Sequence, residues 1–176
     1  PARHPDARRP HARRPENGDN LRGNIVRLTI CSVGRLKTGP ERELIAKYTK
    51  RIQWPLDILE VEERRKLSPP ELKCREGELL VGAIPAGVIR VAMDERGKTL
   101  SSEIFAEKLG AWRDQGRDIA FLIGGADGLS PEHRKNADLV LSFGAATWPH
   151  MLARVMLVEQ IYRAQEILLG HPYHRA

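Results

Sequence analysis

From Gly170 to Arg175 the chain reads GHPYHR, which gathers two imidazoles, a phenol and a guanidinium into six residues. Tails seldom concentrate such groups. A metal site built on His171 and His174 would need further ligands, and Pro172 between them prevents a regular helical pairing, so no metal is expected. RNA suits these side chains better: Tyr173 or a histidine can stack on an extruded base, while Arg175 pairs with a phosphate or an oxyanion. The plain alternative is a tail that packs on a partner subunit.

Three further stretches could hold a ligand: Asp94-Glu95-Arg96-Gly97-Lys98, Gly124-Gly125-Ala126-Asp127-Gly128, and Phe143 to His150 (FGAATWPH). Small residues dominate the last two, and glycine lets backbone amides approach a flat ligand such as adenine. The GGADG stretch would also serve as a tight turn into a helix capped at Ser130. The sequence contains no G-x-S-x-G elbow and no G-x-x-x-x-G-K-[ST] loop, and its glycines do not follow the first strand as a dinucleotide fingerprint requires. Serine hydrolysis, nucleotide hydrolysis and nicotinamide chemistry lose most of their weight.

The elements that must position these stretches alternate. Ile25 to Val33 is rich in β-branched residues and reads as a first strand. Pro40 opens a helix with Leu44, Ile45, Tyr48 and Ile52 at helical spacing, and Leu56 to Val61 is a second strand. Ser68-Pro69-Pro70-Glu71 has capping-box spacing, so a helix runs on through Leu72, Leu80 and Ala83. Gly87 to Met93 is an apolar strand, Ser101 or Ser102 caps the next helix, Asp118 to Ile123 is a buried strand, and Leu139 to Ser142 is the last. A long helix from Pro149 to Leu169 is apolar around most of its circumference, which suggests burial against a symmetric copy. The alternation predicts an α/β fold with a largely parallel sheet, and its ligands should bind beyond the carboxyl ends of the strands.

The chain has 176 residues, 41% of them hydrophobic, enough for one ordinary domain. Its 29 Lys and Arg against 23 Asp and Glu give a net charge of +6. Residues 1–24 carry four prolines and six of the arginines against three acids, or half of that surplus, and are expected to be a disordered extension rather than a secretory signal. A phosphate-binding arm is the alternative. The body from residue 25 on is only mildly basic, so its partner is expected to be a pre-shaped particle rather than free RNA held by charge, with modest salt sensitivity. Cys31 and Cys74 are too few for a disulfide scaffold and fit a reducing cytoplasm, and no apolar stretch is long enough to span a membrane.

Four stretches together, IGGADGLSP at 123–131, TWPH at 147–150, EQIYRA at 159–164 and the terminal GHPYHR, resemble the SPOUT-class methyltransferases of large-subunit (23S) ribosomal RNA that act on N3 of a pseudouridine, the RlmH family. The resemblance spans residues 25–176 as a single SPOUT domain. It implies a C-terminal trefoil knot and a homodimer formed through the helix at 149–169. It also implies S-adenosylmethionine as cofactor, held by Met93, Gly125, Gly144, Ala145, Ala146, Thr147, Trp148 and Pro149, and RNA-facing groups at Arg154, Arg163, His171, Tyr173, His174 and Arg175. Residues 1–24 have no counterpart in the compact family pattern.

Methyl transfer to N3 is helped by removing its proton or by stabilising the resulting anion. The charge-dense tail suggests Arg175 or Arg163 for the anion and His174 or His171 for the proton. Glu159 is expected to stabilise its helix by pairing with Arg163 at i,i+4. Competing readings are a SPOUT enzyme with another target and a basic ribosome-binding module without chemistry.

Overall fold

In a computed structural model the described residues are 25–175, with the side chains of His174 and Arg175 not described, so the expectation for 1–24 lies outside them. The strands are β1 (Leu28–Val33), β2 (Leu56–Val61), β3 (Ile89–Thr99), β4 (Ile119–Ile123) and β5 (Leu139–Ser142). The helices are α1 (Pro40–Thr49), α2 (Pro69–Ala83), α3 (Ser102–Asp114), α4 (Pro131–Lys135) and α5 (His150–Leu168), followed by a 3-10 turn at Pro172–Arg175. All ladders are parallel, in the order β2-β1-β4-β3-β5.

Capping sets several boundaries as the sequence foretells. Ser68 and Glu71 form the capping box of α2, while the hydroxyls of Ser101 and Ser130 accept from the amides of Ile104 and His133. Asp118 and Asp138, each just ahead of a strand, accept from the amides of Arg27 and Arg90 at 2.8 Å and so tie neighbouring strand entrances together. The first strand starts later than its β-branched run suggests: pairing with Leu56 and Ile119 begins only at Leu28, and Ile25 is exposed.

Strand alternation divides the core into two. Ile30, Phe121, Ile123, Val91 and Met93 face α1, α3 and α5, where Ile45, Phe105, Leu109, Leu157 and Ile161 meet them. Cys31, Leu122 and Ala92 face the other side, against Leu80 and Ile84 of α2 and its end and against Leu129. The long helix α5 lies in the middle of its layer, packed on both α1 and α3. Its wide apolar circumference is therefore taken up in part by its own chain. Gln165, buried in the same helix, accepts from the amide of Gln53 at 2.6 Å and holds the α1–β2 connection.

The end of β3 departs further from the sequence reading. The polar run after Met93 is not a simple loop: Met93 pairs with Leu141, residues 94–97 swing out, and Lys98 pairs with Leu141 again before Thr99 meets Ser142. Hydrophobic patterning cannot register such an excursion, because the strand resumes with polar residues. Gly97 permits it, since a Cβ there would stand 2.7 Å from the backbone carbon and oxygen of Val140. Gly97→Ala is expected to destabilise the fold by about 1–3 kcal/mol through this overpacking, read as a lower midpoint of thermal unfolding.

Candidate functional site

A cleft of about 240 Å³ opens beyond the carboxyl ends of β3, β4 and β5, where the excursion at 94–97, the turn at 124–128 and the loop at 143–149 converge. Of the residues expected there, Met93, Gly125, Gly144, Ala146, Thr147 and Trp148 line it, whereas Ala145 and Pro149 do not, although both belong to the same loop. Asp94, Glu95, Arg96, Asp127 and His150 line it as well. The sequence had pointed at their loops without singling them out; His150 lies inside the TWPH stretch.

The GGADG stretch is both a turn and a wall of the cleft. The Gly128 amide donates to the Gly125 carbonyl at 3.0 Å, closing the turn, while its outer side faces the cleft. Behind it the Glu76 carboxylate abuts Gly125, and burial together with the Asp127 charge raises its pKa. Arg134 pairs with the nearly buried Asp94 at 3.3 Å and donates to the Leu129 carbonyl, which ties α4 to the excursion. Across the mouth, the Thr147 hydroxyl donates to the Glu95 carboxylate at 2.7 Å and links two of the three loops. Ser142 Oγ lies 3.1 Å from the Glu95 carbonyl and 2.8 Å from that of Gly144, anchoring the same junction from below. His150, on the first turn of α5, is half-buried, and burial and the nearby Arg154 charge hold its imidazole below the ordinary histidine value. Both effects favour the neutral imidazole, the form able to accept a proton.

Arg154 corrects the sequence reading. It was expected to face RNA, yet it is 1% exposed. Its guanidinium pairs with Glu60 at 3.0 Å and donates to the carbonyls of Val33 and Gly34, so it reaches inward to the sheet. The tail also finds partners on its own chain. The Tyr173 ring meets Tyr162 edge-on at 4.7 Å, its hydroxyl donates to Glu159 at 3.2 Å, and Arg51 and Arg163 stand over the aromatic pair. Burial is the main cause that pushes the Tyr173 phenol far above its usual value. Arg163 pairs with Glu159 at 2.7 Å, the expected i,i+4 bridge, and His171 lies 3.0 Å from the nearly buried Glu166 carboxylate. These contacts sit on the second half of α5. Glu159 is nine residues past His150, about 14 Å along the helix axis. Within one chain, then, Arg163, His171 and Tyr173 are not brought to the cleft, and the side chains of His174 and Arg175 lie outside the described residues.

Cys31 is fully buried and its thiol is pushed up to about 11 by desolvation, an inert core position, while Cys74 is exposed. Among the described residues no three His, Cys, Asp or Glu side chains are placed to hold a metal ion, and no helix is long and apolar enough to cross a membrane.

Comparison with known proteins fixes the class. The family model described as "Predicted SPOUT methyltransferase" matches residues 26–174. A probable methylase family protein from Haemophilus influenzae Rd KW20 shares the fold with a TM-score of 0.53 at 12% identity, covering 85% of this chain and 70% of its own. The ribosomal RNA large subunit methyltransferase H of Rhodospirillum centenum is 59% identical over 152 residues, 86% of this chain and all of that protein. The protein of the same name from Paramagnetospirillum magneticum is 53% identical over 85% of this chain and 99% of its own length. The chain belongs to the SPOUT methyltransferase family, in its ribosomal RNA large subunit methyltransferase H branch.

The packing of Tyr173 on α5 has a measurable consequence. Tyr173→Ala is expected to release the tail, seen as faster amide hydrogen exchange at 171–175, with a stability loss of about 0.5–1.5 kcal/mol from the lost ring pair. Tyr173→Phe keeps the ring contact and should keep the protection.

Proposed function

We propose that this protein transfers a methyl group from S-adenosylmethionine to N3 of a pseudouridine in large-subunit ribosomal RNA. The observation that carries the reading is the cleft itself, in which the His150 imidazole stands among three convergent segments, two of them rich in small residues, at the carboxyl edge of a parallel sheet. The names of the relatives supply the target class. The pseudouridine and its N3 come from the resemblance carried by the four sequence stretches.

The cleft fits the cofactor on its own chemistry. Gly144 has φ +111° and nothing within 4 Å of where a Cβ would stand, which leaves open space at the 143–149 loop. Asp94, Glu95 and Asp127 outnumber Arg96 around the cleft, and this suits a molecule whose sulfonium and ammonium outweigh its carboxylate. Met93, Gly125, Gly144, Ala146, Thr147 and Trp148 would hold it, with Ala145 and Pro149 shaping the loop. When bound, it supplies an electrophilic methyl carbon.

The remaining work belongs to the protein's own groups. His150 accepts the N3 proton, because its imidazole lines the cleft and its surroundings favour the neutral form. His171 sits against Glu166 and Arg163 against Glu159, so in this reading His150 takes the proton, His174 relays it, and Arg175 stabilises the anion on the flanking carbonyls. Tyr173 and His171 fix the tail that carries Arg175.

Tail and cleft lie apart on one chain, and this supports a homodimer in which the tail of one copy reaches the cleft of the other. The faces available for it include Trp148, Leu152, Leu44 and Ile104, all exposed large apolar side chains on or beside α5. The single catalytic domain from residue 25 and the trefoil knot belong to the same reading and rest on the resemblance, while a cytoplasmic location among ribosomes rests on the sparse cysteines.

Incubating the protein with S-adenosylmethionine and ribosomes from cells lacking this gene, then digesting the RNA, should yield N3-methylpseudouridine by mass spectrometry. Methyl on another nucleotide would move the target, and no transfer would overturn the reading. His150→Ala is expected to lower kcat by about a hundredfold or more while leaving cofactor affinity nearly unchanged.

A further inference from the structure

A fully buried arginine is costly unless its charge and its hydrogen-bonding groups are met. Arg154 meets most of them at one junction. Nη1 donates to Glu60 near the end of β2, and Nη2 donates to the carbonyls of Val33 and Gly34 at the end of β1. Nε has no hydrogen-bond partner among the described residues. Glu60 is shared, since it also accepts from the Leu36 amide at 2.7 Å. The junction is tight around His150. Gly34 adopts φ +83°, a conformation L side chains avoid, and a Cβ there would stand 3.8 Å from His150 Nε2 and 3.9 Å from Arg154 Nη2. Arg154 lies one helical turn after His150 on α5.

We propose that Arg154 is a positioning residue for the reaction: by tying the start of α5 to the carboxyl ends of β1 and β2, it fixes the His150 imidazole in the cleft. This rests on the reading of His150 as proton acceptor. Arg154 on its own helix is the charge felt by His150, with Asp94, Glu95, Arg96 and Asp127 lining the same cleft; Cys31 of β1 and Glu60 of β2 act in turn on Arg154. Among these Arg154 is the charge that lowers the imidazole's proton affinity, adding to the effect of burial. A base of this kind works above its own pKa, so transfer rises with pH through the His150 titration.

Removing the Arg154 charge should therefore move that rise to higher pH. Glu60→Gln, which keeps an acceptor for Arg154 and Leu36 but removes the compensating negative charge, should move it to lower pH. The test is the pH profile of kcat/KM on ribosomes together with a titration of the His150 ring by NMR on the full chain without substrate. The expected results are a raised midpoint in Arg154→Met, a lowered one in Glu60→Gln, and a near wild-type midpoint in Arg154→Lys with kcat/KM down about a hundredfold, because lysine cannot span the three acceptors. If Arg154→Met does not fold, the other two variants carry the test. A wild-type midpoint in Glu60→Gln, or wild-type kcat/KM in Arg154→Lys, would overturn the proposal. Because the NMR titration needs no turnover, it separates failure of this coupling from failure of the methyl-transfer reading.

Discussion

All five strands run the same way, and most of what this molecule can do follows from that constraint. Parallel neighbours cannot be joined by tight hairpins, so every connection crosses over the sheet, and every carboxyl end opens on one edge. Because β4 pairs with β3 and the chain then crosses to β5 on its far side, the excursion within β3 and the loops after β4 and β5 are neighbours although they are far apart in sequence. The cleft is the space among those loops. Its walls are held by specific ties: Arg134 to Asp94, Thr147 to Glu95, and Ser142 against the junction beneath. None of them is strong alone. Together they connect the excursion at 94–97 and the loop at 143–149 to each other and to α4 and β5, which is what a site that positions reactants requires.

Local signals made much of the fold legible. The bounds of β2 and β5 could be read directly, because a short apolar or alternating run lay between clear breakers. Serines at 68, 101 and 130 announced three helix starts, since a cap depends only on residues within one turn. The excursion after Met93 escaped notice because a strand that resumes with Lys98 and Thr99 leaves no hydrophobic trace. Its only sequence mark is Gly97, whose necessity comes from a backbone more than forty residues away.

The candidate site was legible to a similar depth. Small residues, placed by the rule for parallel sheets, pointed to the loops that wall the cleft, and six of the eight residues implied by the family resemblance line it. Side chains were harder, because the partner decides the role. Arg154 looks like any other arginine on a helix, and its acceptors lie 94 and more residues away on β1 and β2. Tyr173 and His171 read as free tail chemistry, yet Tyr162, Glu159 and Glu166 hold them on α5. The apolar girth of α5 suggested a second copy, and part of it is met by α1 and α3 within the chain.

The claim on which everything else depends is that the cleft beyond β3, β4 and β5 is where the cofactor sits. Crystals of the protein grown with S-adenosylhomocysteine, the demethylated form of that cofactor, test it most directly. Density among residues 94–96, 124–128 and 143–150 is the predicted result. Density confined to another surface, such as the apolar groove beside Trp54 at the opposite end of the sheet, would contradict it.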